Sequence, residues 1–288
     1  MITAALVKEL RDKTNAGMMD CKKVLTEANG DIEAAIKLLR ERGIAKAGAK
    51  ADRAANEGIV SARVSADAKS GILYEVNCET DFVSKNENFQ GFVAALGDTL
   101  EASAAADLDA ALAASHDSVT VADAVKAKIA EIGENMQLRK YVRFEAADGG
   151  VVASYIHMGG KVGVLLEVGT TNPATAANAT FQELVRDLTL HIAAAAPKGL
   201  AREDIPADVI ANEQDIFRAR LADSGKPANI IENILKGQLN KFFAESCFLE
   251  QGFVKDDKVA IKQLLENVGK EVGDTLTVTR FVRFGLGE

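Results

Sequence analysis

The feature that most restricts how this chain can fold is an internal duplication. Gly58-Ile-Val-Ser-Ala-Arg-Val64 and Gly71-Ile-Leu-Tyr-Glu-Val-Asn77 read as two strands. Displaced by 92 residues, they return as Gly150-Val-Val-Ala-Ser-Tyr-Ile156 and Gly163-Val-Leu-Leu-Glu-Val-Gly169. The same displacement aligns Phe89-Gln90 with Phe181-Gln182, Val93 with Val185, Leu96 with Leu188 and Leu100 with Ile192, so a helix follows each hairpin. A second correspondence is displaced by 140: Gly133-Glu-Asn-Met-Gln-Leu-Arg-Lys-Tyr-Val-Arg-Phe144 against Gly273-Asp-Thr-Leu-Thr-Val-Thr-Arg-Phe-Val-Arg-Phe284, preceded by helical patterns over 121–132 and 261–272. A ββα unit followed by an αβ unit therefore occurs twice, which predicts an α+β fold with a duplicated core.

The two displacements differ by 48 residues, so the second copy carries an insert of that size. It begins after Pro197, where periodic apolar residues predict helices over 208–222 and 228–243. Asp223-Ser-Gly-Lys-Pro227 would form the tight connection between them, and Ile216, Leu221, Ile230, Ile231, Ile234, Leu235 and Leu239 supply apolar faces. The insert reads as an antiparallel helical hairpin. A hairpin this short is marginal alone, so it should pack on the core, on a partner or on a second copy of itself.

Ahead of the duplication, residues 3–43 read as a three-helix module. Leu6, Val7 and Leu10 form one apolar stripe, and Met18, Cys21, Leu25 and Ala28 a second. Asn29-Gly30 should end the second helix, Asp31 should cap the third, Ile32, Ala35, Ile36 and Leu39 should face inward, and Gly43 should stop it. Ala45 to Asn56 has little to bury and reads as a linker, partly helical. The division expected is a helical docking module with its linker over 1–56, the first core copy over 57–147, the first part of the second copy over 148–200, the hairpin over 201–248 and the closing α-β unit over 249–288.

Composition matters mainly for what it excludes. Residues 1–54 carry 11 Lys/Arg against 8 Asp/Glu, whereas the remainder carries 23 against 34. An acidic body repels nucleic acid, whose binding depends on neutralised phosphates, so no direct nucleic-acid partner is expected. The mildly basic end suits an acidic protein surface. Apolar runs of about five residues fall far short of the ~20 that span a bilayer, and the N-terminus has no signal-peptide pattern, so a cytoplasmic protein without membrane contact is expected. Three separated cysteines, Cys21, Cys78 and Cys247, make neither a disulfide framework nor a zinc site. No G-x-x-x-x-G-K-[ST] loop is present, and His116, His157 and His191 lack metal-ligand spacing, so no cofactor and no metal are expected.

The two copies differ most between the second strand and the helix. The first has Asn77-Cys-Glu-Thr-Asp-Phe-Val-Ser-Lys-Asn-Glu-Asn88, and the second has Gly169-Thr-Thr-Asn-Pro-Ala-Thr-Ala-Ala-Asn-Ala-Thr180. Both must meet the needs of the scaffold, so the surplus chemistry of the first is a functional candidate. The alternative is that Phe82 and Val83 simply close the core at the strand end.

Residues 12–30, Asp12-Lys-Thr-Asn-Ala-Gly-Met-Met-Asp-Cys-Lys-Lys-Val-Leu-Thr-Glu-Ala-Asn-Gly30, resemble the N-terminal signature of bacterial translation elongation factor Ts. Glu75-Val-Asn-Cys-Glu-Thr-Asp-Phe-Val83 resembles that family's second signature, and the likeness extends over essentially the whole chain. The resemblance implies a protein with no chemistry of its own that promotes GDP release from the GTPase elongation factor Tu. It implies that Thr80, Asp81, Phe82 and Val83 dislodge the partner's Mg²⁺, and that Arg11, Met18, Met19 and Lys22 dock on the GTPase. Met18 and Met19 point about 100° apart on a helix, so they cannot both face one small core. Two other readings stand beside this one: a thiol enzyme centred on Cys78 with His157 as base, and an adaptor that assembles through the hairpin.

Overall fold

The computed structural model describes residues 2–14, 16–221 and 227–288. The connection expected at Asp223–Pro227 therefore lies, but for Pro227, outside the described residues.

Helices α1 (Ala4–Thr14), α2 (Met18–Glu27) and α3 (Ile32–Gly48) form the N-terminal module around Leu10, Cys21, Val24, Leu25 and Ala35. Asn29 and Gly30 both turn to positive φ after α2, at 51° and 89°, and the Gly30 N–H closes back on Leu25 O at 2.8 Å. Asp31 Oδ1 accepts from Ala34 N at 3.0 Å, as a cap for α3 should. Two expectations fail. Val24 joins the buried stripe while Met18, at the first position of its helix, stays outside it. The third helix also does not stop at Gly43. There α3 crosses α7, and a Cβ at Gly43 would lie 3.3 Å from the Ala130 Cβ, so the glycine permits close helix contact rather than termination.

The first core copy comprises β1 (Glu57–Val64), β2 (Ser70–Cys78), the one-turn α4 (Asp81–Ser84), α5 (Glu87–Ser103), α6 (Leu108–Ala113), the two-residue strands β3 (Ser115–His116) and β4 (Val119–Thr120), α7 (Val121–Ile132) and β5 (Met136–Glu145). The second comprises β6 (Val151–His157), β7 (Val162–Gly169), α8 (Ala179–Ala195), the hairpin α9 (Ala207–Leu221) and α10 (Ala228–Ser246), β8 (Gly252–Phe253), β9 (Asp256–Ala260), α11 (Ile261–Val272) and β10 (Thr277–Gly285). Each copy makes a three-stranded antiparallel sheet, β1-β2-β5 and β6-β7-β10, with the second strand of its hairpin at the centre. The likeness reaches fine detail. Both sheets bulge at equivalent places, beside Arg139 and Thr279, and helices α5 and α8 both end on a left-handed alanine, Ala104 and Ala196.

The sheets stack face to face, and helices cover their outer faces. Ile72, Tyr74, Val76 and Cys78 of β2 point to the helices, where they meet Phe89, Leu96 and Val125 among others. Alternate residues of β2 point to the other sheet, and Leu73 packs there with Val60, Phe144, Val152 and Leu165. This double burial explains the nearly continuous apolar reading of both central strands. Gly71 and Gly163 occupy equivalent places in this interface: a Cβ on the first would meet Val152 Cγ1 at 2.8 Å and one on the second Leu73 Cδ1 at 2.8 Å. The glutamates at matching positions are also buried and paired, Glu75 with Lys140 at 3.0 Å and Glu167 with Arg280 at 2.6 Å. At the base of the hairpin, Ile205, Phe242, Phe243 and Cys247 form a separate small core, and Arg202 forks onto Glu250 at 2.5 and 2.7 Å. Farther out, Ile216 and Ile230 are exposed.

Candidate functional site

The segment after β2 is held rather than loose. Thr80 has extended backbone angles and caps α4, its Oγ1 accepting from Val83 N at 3.4 Å. Ser84 N and Lys85 N return to Thr80 O and Asp81 O, both at 3.2 Å, which closes the single turn. Val83 packs against the first-copy core and Ser84 is buried, so the helix has a defined inner face. Phe82 takes the outer face and is 83% exposed, the highest value for a large apolar side chain among the described residues. The alternative reading at this point thus divides: Val83 helps to close the core and Phe82 does not.

A lone exposed apolar residue is ordinary. The duplication makes this one informative. The equivalent of Val83 is Thr175, which is buried, and the equivalent of Phe82 is Ala174, which is exposed. Both copies turn the same position outward, and the scaffold is satisfied there by a methyl group. A phenyl ring held in water at that place contributes nothing to the fold of its own chain. Beside it, Asp81 is half-buried and pairs with Lys85 one turn on at 2.7 Å. The hydrogen bond from Lys85 and its charge hold the Asp81 carboxyl below the usual carboxylate range. The loop therefore presents one apolar ring next to one ionised carboxylate.

Residues that sequence reasoning did not select complete the site. The Glu134 carboxylate accepts from Glu79 N at 3.1 Å, Thr80 N at 3.0 Å and Thr80 Oγ1 at 2.7 Å. Glu79 reciprocates, accepting from Asn135 N at 2.6 Å. Asn135 Nδ2 donates to Ala51 O at 3.2 Å and Arg53 O at 2.8 Å, while Lys50 Nζ donates to Gly133 O. Residues 133–135 thus join the segment leaving the N-terminal module to the loop that carries Phe82. The sequence held one signal for this role, an acid retained after glycine in both copies, Gly133-Glu134 and Gly273-Asp274.

The other selected residues belong to the N-terminal module. Arg11 on α1 and Met18, Met19 and Lys22 on α2 are all exposed, with Met18 at 59% and Met19 at 74%. Their connection to the Phe82 loop runs through α3 and the segment after it.

Cys78 is fully buried, and its Sγ donates to Thr80 O at 3.2 Å. Burial first, then the charge of Glu134, push the thiol up to about 12. A nucleophilic cysteine needs the opposite setting, exposed and electropositive, so Cys78 serves as a packing residue. His157 pairs instead with Tyr155, Nδ1 to hydroxyl at 2.9 Å. No helix among the described residues is long and apolar enough to cross a membrane.

Comparison with known proteins addresses the chain as a whole. A family model described as elongation factor TS matches residues 79–288. Elongation factor Ts of Trichlorobacter lovleyi is 46% identical over 290 residues, covering 100% of this chain and 93% of the relative. The elongation factor Ts proteins of Syntrophotalea carbinolica and of a Nitratiruptor species are 47% and 45% identical, each over 100% of this chain and 93% of its own length.

Proposed function

The chain belongs to the elongation factor Ts family, and from that premise we propose that it is a guanine-nucleotide exchange factor for the translation GTPase elongation factor Tu, acting in the cytoplasm without covalent chemistry of its own. The observation that carries this reading is Phe82, held outward at 83% exposure on a braced single-turn helix where the other half of the molecule needs only Ala174. A GTPase retains GDP through its phosphate loop and a Mg²⁺ bridging phosphate and protein oxygens. An exchange factor lowers that affinity only if it binds the nucleotide-free state better than the loaded one. Insertion of the Phe82 ring into an apolar crevice that opens when GDP leaves provides such a difference. Asp81, kept ionised by Lys85, enters the same region as a negative charge and disturbs the oxygens that position the metal.

Thr80 and Val83 hold the two ends of the turn, one by capping and the other by packing. The N-terminal module supplies docking through Arg11, Met18, Met19 and Lys22, whose thioethers adapt readily to a partner groove. The hairpin, with Ile216 and Ile230 exposed, extends the surface available to the GTPase or to a second copy, and a size-exclusion profile of the pair distinguishes these.

Stopped-flow release of fluorescent GDP from elongation factor Tu tests the proposal. The protein should accelerate release strongly in millimolar Mg²⁺ and less once the metal is chelated, because part of its action is then already done. No acceleration in Mg²⁺ refutes exchange activity, and equal acceleration with and without the metal refutes the Mg²⁺ step.

A further inference from the structure

The carboxylate brace under the Phe82 loop has a counterpart in the second copy. Asp274 follows the left-handed Gly273 as Glu134 follows the left-handed Gly133, each at the C-terminal end of a core helix. Asp274 Oδ1 accepts from Thr171 N at 3.0 Å and from the Thr171 hydroxyl, and Oδ2 accepts from Asn172 N at 3.2 Å and Thr175 Oγ1 at 2.6 Å. Thr171 and Asn172 are the equivalents of Glu79 and Thr80, so the same two backbone amides are held in both halves. Where an equivalent brace recurs, its presence alone is a requirement of the scaffold. Its load differs: in the second copy it supports a turn that carries Ala174, and in the first a turn that carries Phe82.

We propose that Glu134 is a positioning residue for nucleotide exchange, fixing the turn from which Phe82 acts on the GTPase. The proposal rests on the reading of Phe82 as the inserting group. One carboxylate meets three donors on Glu79 and Thr80, and Thr80 Oγ1 passes the restraint on by accepting from Val83 N. The residues on both sides of Phe82 are thereby tied to the end of α7, whose Val121, Val125 and Ile129 lie in the first-copy core. Hydrogen bonds to an ionised carboxylate are the stronger kind, and their loss leaves three donors to seek water. The turn then samples other conformations, and only the competent fraction can insert its ring. Docking through the N-terminal module does not need that turn, so the defect belongs to the step after encounter.

The test compares Glu134→Ala, Glu134→Gln and Asp274→Ala by stopped-flow GDP release from elongation factor Tu over a range of factor concentrations. If the turn is competent about one time in ten without its brace, Glu134→Ala lowers the limiting release rate about tenfold and leaves the half-saturating concentration nearly unchanged. Glu134→Gln recovers most of the rate, because an amide oxygen still accepts from both backbone N–H groups. Asp274→Ala, which loses an equivalent brace, lowers the melting temperature but releases GDP at the parental rate. In a Phe82→Ala background, Glu134→Ala causes no further loss, since the two act through one ring. A wild-type limiting rate for Glu134→Ala, an equal defect in Asp274→Ala, or additivity with Phe82→Ala overturns the assignment. If Phe82→Ala slows release while Glu134→Ala does not, only the positioning role falls; if Phe82→Ala is silent, both readings fall. Should Glu134→Ala fail to fold, Thr80→Val removes the hydroxyl from the same brace and carries the same comparison.

Discussion

Replacing Phe82 with alanine separates the work of the ring from the work of the turn beneath it. The substitution gives the first copy the residue that the second copy already has at the matching position, Ala174. The turn should survive, because its bonds come from Thr80, Asp81 and Val83 and not from the ring. Full burial of a phenylalanine side chain contributes about 1.5–3 kcal/mol relative to full exposure. With 83% of the residue still exposed, roughly 1.2–2.5 kcal/mol of that remains to be gained on a partner. If the ring is buried only in the nucleotide-free complex, its loss raises the barrier to GDP release by that amount. The limiting rate should fall roughly 8- to 70-fold, at about 1.4 kcal/mol per factor of ten. Thermal unfolding of the free protein should meanwhile shift by no more than the ~0.5 kcal/mol typical of surface substitutions. Unchanged release kinetics would refute the insertion argument. A large loss of stability would refute the claim that the ring does nothing for its own chain.

Three further outcomes follow from the packing. His191 is buried between Phe248 and Phe253, bonded to Gln251 and to the Val254 amide, and desolvation holds its pKa below the ordinary value of 6.5. Below that ordinary value the unfolded chain takes up a proton that the folded chain refuses, so stability declines as the pH falls from about 6.5 towards the lowered folded value. Melting curves should show this, with a shallower decline in a His191→Gln variant. Gly163→Ala should cost about 1–3 kcal/mol by urea titration, because its Cβ drives the two sheets apart at Leu73. Shortening the hairpin between Ile210 and Leu239 should leave the two sheet cores folded by circular dichroism and retain part of the exchange activity, whereas an adaptor built on the hairpin would lose all of its function.

Much of this molecule was legible before any coordinates. Displacements of 92 and 140 residues located both hairpins, both closing strands and the insert, because a duplicated fold repeats its apolar pattern wherever the same faces are buried. Helices over 121–132 and 261–272 fall where the periodicity puts them. The loop with Thr80, Asp81, Phe82 and Val83 was legible as the place where the copies part, and the resemblance gave those four residues a role. Tertiary structure decided what periodicity cannot encode. Gly43 has the same local propensity whether it ends a helix or lies against Ala130, and only the crossing of α3 with α7 chooses. Likewise, Phe82 and Val83 are adjacent apolar residues, and only the docking of α4 on the core turns one inward and leaves the other in water. Glu134 lies more than fifty positions from the loop it braces. Local sequence reports the conformation a residue prefers, whereas its partners are set by how the chain returns through space.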